Sequence, residues 1–225
     1  KQVGVLEVDE RSSLKVYKYL TPDILICNNI MRDSLKRNAH TEFICYILNK
    51  QLPSSTKVVL NADDLICSGL FPNNKDRTYF GVSADRPENG AATDEALRDI
   101  VYCPKCGAKL ETEYVRYNHI GRHHCSSCGF ASPKPDYDVT AINREKGTVT
   151  ATHNGVDEEY KIVNDNIINI YNSCAVISVL HTFGLDYEKI HNAFETVKIV
   201  SSRFDIKKVG DSTIIGQLAK GQNPV

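Results

Sequence analysis

Two short cysteine motifs constrain the fold of this sequence more than any other feature. Cys103-Pro-Lys-Cys106-Gly107 and Cys125-Ser-Ser-Cys128-Gly129 are separated by 18 residues. A Cys-x-x-Cys turn presents two sulfurs on one side of a tight loop, and two such turns supply the four thiolates that a structural zinc ion prefers. The glycine after each second cysteine provides the positive φ that such a turn usually requires. The spacing therefore predicts a zinc ribbon with all four cysteines as ligands.

Two alternatives to an all-cysteine zinc site arise in the same segment. The cysteine pairs could be redox dithiols or disulfides, although two glycine-closed turns would be redundant for redox chemistry. His119, His123 and His124 lie between the pairs and could compete as ligands. Four thiolates already complete a structural tetrahedron, so we favour the all-cysteine site, which leaves no position for a catalytic water.

The remaining cysteines and the composition indicate an ordinary globular chain of the cytoplasm. Eight cysteines in 225 residues are too few for a disulfide scaffold, and Cys27, Cys45, Cys67 and Cys174 stand alone among aliphatic residues. We therefore expect core thiols at these four positions. The sequence has neither an apolar run long enough for a transmembrane segment nor the pattern of a signal peptide. The formal net charge of −1 excludes a global positive field that would attract nucleic acid.

A local basic patch near the ribbon leaves a second class of function open. The segment carries cationic and aromatic side chains that could contact phosphates and stack on bases: Lys105, Lys109, Tyr114, Arg116, Tyr117 and Arg122. Glu111 and Glu113 lie among them, as on an ordinary solvated hairpin. The alternative hypothesis is therefore a non-catalytic zinc-ribbon module on an α/β scaffold that binds nucleic acid or protein.

Upstream of the ribbon, the hydrophobic pattern is typical of a parallel sheet covered by helices. Short apolar runs at 3–8, 23–27 and 57–60 predict strands, and the longer amphipathic segments 12–19 and 41–52 predict helices. Ligands of such sheets bind at the carboxyl ends of the strands. The residues that follow Val8, Cys27 and Leu60 are therefore candidates for a binding site.

Downstream of the ribbon, the pattern changes to antiparallel strands and two helices. Residues 137–163 alternate and contain turn signals, whereas 167–183 are apolar nearly all round and predict a buried helix that ends at Gly184. A second helix follows Asp186, and a hairpin is expected around Gly210. We interpret the chain as a mostly parallel α/β domain (1–100 and 137–225) that carries an inserted ribbon (101–136), with 83–99 as a polar connector.

Three polar residues, one at a predicted strand end and two on a predicted helix, are candidates for binding a nucleotide and its magnesium ion. Glu7, at the end of the first predicted strand, offers a hard carboxylate that could hold magnesium. Asn169 and Asn172 share one face of an apolar helix, where an adenine edge would satisfy their amides. Simpler explanations are an acidic helix start for the first and helix capping for Asn169. Capping explains Asn172 less well.

Several of these pieces, in this order, resemble motifs of the central domain of the Mur ligases, which join amino acids to cell-wall precursors with ATP. The motifs are Glu7 in Leu-Glu-Val-Asp-Glu, Asn29-Ile-Met-Arg-Asp33, Asn61-Ala-Asp-Asp64, Asn169-Ile-Tyr-Asn172, Arg203 with Asp205, and Lys220-Gly-Gln-Asn-Pro224. A four-cysteine ribbon inserted in that domain resembles one branch of the family. The resemblance covers essentially the whole chain.

That resemblance implies an activity, cofactors and partners. The branch uses ATP and Mg²⁺ to activate the D-glutamate carboxylate of lipid II, and ammonia from a partner glutaminase subunit then gives D-isoglutamine. By the same match Glu7 would bind magnesium, Asn29 would bind the nucleotide, and Asn169 and Asn172 would bind its adenine side. Arg203 and Lys220 would bind its phosphate or ribose side, and the zinc would be structural.

The sequence also departs from the family pattern. The glycine-rich phosphate loop and the C-terminal domain of these ligases are not among the 225 residues, so we expect a fragment that binds ATP weakly and is inactive alone. Ser34 stands where related ligases carry histidine or glutamine, and Leu218 where many carry aspartate. These two differences put a second metal site and a ribose contact in doubt.

Overall fold

A computed structural model describes residues 2–32, 40–87, 99–197 and 204–217. The helices in these ranges are α1 (Ser13–Val16), α2 (Thr41–Asn49), α3 (Leu65–Ser68), α4 (Ile167–Phe183) and α5 (Tyr187–Thr196). The strands are β1 (Ile24–Cys27), β2 (Lys57–Asn61), β3 (Arg77–Val82), β4 (Glu111–Tyr117), β5 (Ile120–His124), β6 (Tyr137–Asn143), β7 (Thr148–His153), β8 (Val156–Lys161), β9 (Phe204–Val209) and β10 (Ser212–Gln217). No helix in the described ranges is both long and apolar enough to cross a bilayer.

A six-stranded sheet in the order β1-β2-β3-β6-β7-β8 organises the domain. The pairs β1–β2, β2–β3 and β3–β6 are parallel, whereas β6–β7 and β7–β8 are antiparallel. The central strands are buried on both faces, as continuous apolar sequences such as Val58-Val-Leu60 require. The predicted mixed α/β fold is therefore confirmed, and the carboxyl ends of β1, β2 and β3 meet at one edge.

Helix α4 packs across this sheet and has the predicted bounds. The side chain of Asn166 accepts the N–H of Ile168 at the start, and Gly184 ends the helix with φ 97°. The prediction of a buried helix holds for one face only. One face, which includes Ile170, Cys174 and Ile177, lies in the core, while Ile168 and Val176 on the opposite face are nearly half exposed. The apolar sequence could not show this, because it offers two equally apolar faces and only the sheet selects one.

The segment before β1 is where the predicted strand does not form. Residues 2–9 have no regular secondary structure and are mostly exposed. A strand needs a neighbour for its N–H and C=O groups, and none of the described strands pairs with these residues. The predicted helix that follows is also short: a 3₁₀ turn at Glu10–Ser12 leads into α1.

The last described element is the antiparallel pair β9–β10, which confirms the predicted hairpin. Val209 faces Ser212 in the register, and the turn between them contains Gly210 with φ 58°. A non-glycine residue adopts this left-handed conformation only rarely, so the glycine fixes the position of the turn.

Candidate nucleotide site and metal centre

The ribbon folds into a compact group of four sulfurs. The ligand atoms of Cys103, Cys106, Cys125 and Cys128 all lie within 4.8 Å of one another, and two Sγ–Sγ pairs are 3.6 Å apart. Zinc–sulfur bonds of about 2.3 Å in a tetrahedron place the sulfurs roughly 3.8 Å apart, whereas a disulfide needs about 2.05 Å. The cluster therefore fits a tetrahedral metal and does not fit the disulfide alternative.

The protonation of these thiols follows from their crowding. Desolvation alone would raise the pKa of Cys103, but the backbone N–H groups of Lys105 and Cys106 outweigh it and lower that pKa to about 7. The backbone of Ala108 lowers the pKa of Cys106, yet hydrogen bonds to Cys128 and Cys125 outweigh it and raise that pKa to about 12. Neighbouring sulfurs resist full ionisation unless a cation lies among them, which is the electrostatic role of a zinc ion.

The three histidines of the ribbon have other partners. His119 lies between two carboxylates, and Nδ1 of His123 is 3.1 Å from the hydroxyl of Thr112. His124 pairs with the exposed Glu111 over 3.1 Å. The group that could hold a metal therefore consists of cysteines alone among the described residues.

Three asparagines converge at the carboxyl edge of the parallel strands. Nδ2 of Asn28, just after β1, donates to Oδ1 of Asn172 on α4 over 2.8 Å, and Nδ2 of Asn61 donates to the Asn28 carbonyl over 2.9 Å. Oδ1 of Asn28 is buried and has no hydrogen-bond partner among the described residues. Buried amide oxygens are normally paired, so this acceptor is available to a ligand donor. The strand-end rule indicated this edge, but the pairing of Asn28 was not predicted.

The ribbon docks on the same edge through its β4–β5 hairpin. The N–H of Gly121 donates to the Asp63 carbonyl over 2.7 Å, and the guanidinium of Arg122 donates to the Asp63 carboxylate over 3.0 Å. A Cβ on Gly121 would lie 2.0 Å from the carbonyl oxygen of Tyr114, so only glycine permits this approach. The inserted segment is thus packed into the domain, which the sequence did not indicate.

Asp63 is a buried charge that the hairpin helps to satisfy. Burial raises its pKa, although the N–H of Val82, the hydroxyl of Tyr171 and the guanidinium of Arg122 each act in the opposite direction. The Tyr171 hydroxyl donates to the Asp63 carboxylate over 2.8 Å. A buried carboxylate is tolerated when donors surround it, and here they come from β3, α4 and the ribbon.

Three of the basic and aromatic side chains of the ribbon are engaged within the domain. The guanidinium of Arg116 donates to the carbonyls of Val82, Ala84 and Asp85, and Arg122 contacts Asp63. Tyr114 is only 3% exposed. These three side chains attach the ribbon to the sheet and are therefore already engaged, whereas Lys105 and Lys109 are exposed.

Comparison with known proteins identifies relatives of this domain. No protein-family model matches the chain. It is 30% identical over 220 residues to the lipid II isoglutaminyl synthase (glutamine-hydrolyzing) subunit MurT of Staphylococcus aureus (strain COL), covering 97% of this chain and 49% of the relative. Against the MurT subunit of Streptococcus pneumoniae (strain ATCC BAA-255 / R6), identity is 28% over 234 residues, which is 100% of this chain and 49% of the relative. The chain therefore spans about half the length of these relatives.

Solved structures agree with the sequence matches. A pseudomurein peptide ligase type C from Methanothermus fervidus superposes with a TM-score of 0.67 and 24% identity, over 85% of this chain and 37% of that one. MurF from Acinetobacter baumannii gives a TM-score of 0.54 at 11% identity, over 88% of this chain and 34% of that one. The chain has the Mur ligase fold. The resemblance inferred from its motifs is confirmed.

The Mur ligase motif residues are placed unevenly. Asn29 is half-buried in the loop after β1. Its neighbour in the chain, Asn28, donates a hydrogen bond to Asn172 on α4. Asn169 is one turn earlier on α4 and exposed. Arg203, Lys220, Ser34 and Leu218 lie outside the described residues. Their assigned roles stay predictions.

Glu7 is not at a strand end, contrary to the position predicted for it. It lies in the irregular segment 2–9 and is exposed. At the strand edge the carboxylates of Asp63 and Asp64 are buried and surrounded by donors, so neither is free to hold a magnesium ion. The role of Glu7 as a magnesium ligand stays a prediction based on the motif.

Proposed function

We propose that the chain is part of the ATP-dependent ligase subunit that amidates the D-glutamate of lipid II to D-isoglutamine. The observation that carries the proposal is the amide cluster of Asn28, Asn61 and Asn172 at the carboxyl edge of a Mur ligase sheet. Similarity to MurT subunits along the whole chain supports the same function. ATP and the lipid II head group meet in the cytoplasm, where we expect the protein to act.

The proposed reaction has two steps. A carboxylate oxygen of D-glutamate attacks the γ-phosphorus of ATP, which releases ADP and leaves an acyl phosphate. Ammonia then attacks the acyl carbon, the carbon–oxygen bond to phosphate breaks, and the nitrogen loses a proton. A partner glutaminase would supply the ammonia from glutamine, in keeping with the "glutamine-hydrolyzing" name of the relatives.

The chain's residues would bind the adenine side of the nucleotide. The buried, unpaired Oδ1 of Asn28 is an acceptor suited to an exocyclic amino group, and the exposed amide of Asn169 lies one helical turn from Asn172. We propose Asn169 and Asn172 as adenine-side residues, Asn29 as a further nucleotide-binding residue, and Arg203 and Lys220 for the phosphate or ribose side. Magnesium would neutralise phosphate charge, with Glu7 as its candidate ligand.

The four cysteines would hold a structural zinc ion. Their sulfurs lie within 4.8 Å of one another, and Cys103 and Cys125 are 2% exposed beside Leu65 of α3. A closed site of this kind offers no open coordination position for substrate. Its proposed contribution is therefore to keep the ribbon folded against the sheet.

A reconstituted reaction tests this function. The full-length protein is combined with its glutaminase and lipid II, and ADP release is measured with and without glutamine. We expect release that depends on glutamine, its loss in Glu7→Ala, and no change in Glu145→Ala, an exposed acid in the β6–β7 turn. Absence of glutamine-dependent release in the wild type would refute the assignment. Activity retained in Glu7→Ala would exclude Glu7 as an essential magnesium ligand and would leave the proposed function standing.

A nucleic-acid binding measurement on the same full-length protein tests the alternative hypothesis of a zinc-ribbon binding module. A nucleic-acid module would bind labelled RNA or DNA with strong salt dependence, and ATP and magnesium would not affect that binding. We expect no such binding, because Arg116 and Arg122 contact the sheet.

A further inference from the structure

The tip of the β4–β5 hairpin delivers one buried histidine to the nucleotide edge of the sheet. The two-residue turn between the strands contains Asn118, whose φ of 47° is left-handed, and His119, which is 1% exposed. Nδ2 of Asn118 also contacts the sulfur of Met31 over 2.9 Å. A ribbon residue therefore lies within the α/β domain, although in the sequence it stands between the two cysteine pairs.

The ring of His119 contacts two carboxylates at once. Nε2 is 3.2 Å from Oδ1 of Asp64, and Nδ1 is 3.4 Å from Oδ2 of Asp99. Neither carboxylate is more than 5% exposed. Asp99 also pairs with the guanidinium of Arg32. A carboxylate on each side of the ring favours the protonated, positively charged form of the histidine.

Asp64 connects this histidine to the loop after β1. Its Oδ2 accepts the N–H of Ile30 over 2.7 Å, while Oδ1 accepts the N–H groups of Ile66 and Cys67 over 2.9 and 3.0 Å at the start of α3. His119 is therefore linked to both ends of the segment 30–32. Asp64 connects it to Ile30, and Asp99 connects it to Arg32. That segment continues directly from Asn28 and Asn29.

We propose that His119 is a positioning residue, through which the ribbon hairpin fixes the loop after β1 in the conformation that binds the nucleotide. The inference rests on the proposed function for its ligand, but the loop contacts stand independently of it. Asn28 is oriented toward Asn172 by the same loop, so a displaced loop would separate the adenine-side amides. In this view the metal site serves the nucleotide site from a distance, through the hairpin.

Removal of His119 should therefore weaken nucleotide binding and leave the rate of the chemical step nearly unchanged. A loop that is ordered only part of the time lowers the apparent affinity by the fraction that is ordered. For His119→Ala in the full-length protein with its glutaminase, we expect KM for ATP to rise about tenfold while kcat stays within about twofold. Loss of folded protein would instead lower kcat and leave KM unchanged.

Hydrogen exchange provides a readout that does not depend on activity. In His119→Ala we expect the Ile30 amide to exchange at least about tenfold faster, because the Asp64 carboxylate loses one of the contacts that orient it. His119→Gln keeps one donor and should restore part of the protection. Glu111→Gln, an exposed acid at the other end of the same hairpin, is the matched control and should change neither exchange nor KM.

The outcomes separate this inference from the proposed function. If the wild type shows no ATP turnover, the function fails, and exchange at Ile30 alone decides the positioning role. Unchanged exchange and unchanged KM in a folded His119→Ala protein would overturn the inference. If that variant does not fold, Asp99→Asn decides: faster exchange over 30–32 with one zinc per chain supports the role, and wild-type exchange overturns it.

Discussion

The side-chain amides of Asn28 and Asn172 are joined over 2.8 Å although 144 positions separate them in the sequence. One follows a parallel strand and the other lies on the helix that crosses the sheet, so their pairing marks where loop and helix meet. We predict that Asn28→Ala and Asn172→Ala in the full-length protein each raise KM for ATP about tenfold. The double variant should be no worse than either single one, because both remove one shared contact.

Steady-state ADP release at varied ATP measures this effect. Asn192→Ala, an exposed asparagine on α5, is the control and should behave as wild type. Fully additive effects of the two substitutions would show that the asparagines act separately.

The cysteine cluster should bind one zinc ion per chain. Cys106→Ser removes one of four ligands, so we expect elemental analysis to find the zinc lost and the melting temperature lowered by more than about 5 °C, since metal binding is coupled to folding. Cys45→Ser, a thiol outside the cluster, should keep the metal. A folded wild-type protein without zinc would refute the ribbon assignment.

His119 should make stability depend on pH in a defined window. Burial by itself lowers its pKa, but hydrogen bonds and charge from Asp64 and Asp99 outweigh burial and raise the pKa from 6.5 to about 9. A raised pKa in the folded state means that the stabilisation is complete below about pH 6.5 and is lost as pH rises through about 9. The shift corresponds to roughly 3 kcal/mol.

The measurement compares the wild type with His119→Gln at pH 6 and pH 9. Other charged groups at the ring are Asp64, Asp99, and Arg32 behind Asp99, and Nε2 of His123 lies 3.2 Å from the His119 carbonyl. We expect the stability advantage of the wild type to shrink at the higher pH. An advantage that is constant or grows with pH would mean that His119 is not protonated in the folded protein.

Gly121 should tolerate no side chain. Its Cβ would lie 2.0 Å from the Tyr114 carbonyl oxygen and 2.8 Å from Cα of Val115, which are backbone atoms of the paired strand. We predict that Gly121→Ala costs about 3 kcal/mol or more, because the hairpin must shift away from Asp63. Chemical denaturation measures the loss. Gly4→Ala, with nothing within 4 Å, should be neutral.

The sequence by itself determined the elements whose signals are local. The two Cys-x-x-Cys-Gly turns specify the four-cysteine cluster, because each turn is a contact between residues three apart. The bounds of α4 follow from Asn166 and Gly184, which satisfy or end the helix through their immediate neighbours. The ordered motifs also predicted the resemblance to Mur ligases, since their order is a property of the sequence alone.

Only the tertiary structure decided which distant residues share a site. Segment 3–8 has strand-like composition but does not pair with any described strand, and composition cannot supply a neighbour. The positions of Asn28 against Asn172, and of His119 between Asp64 and Asp99, depend on how the sheet, α4 and the ribbon pack. Such contacts join residues with no periodic or spacing relationship, so no local pattern records them.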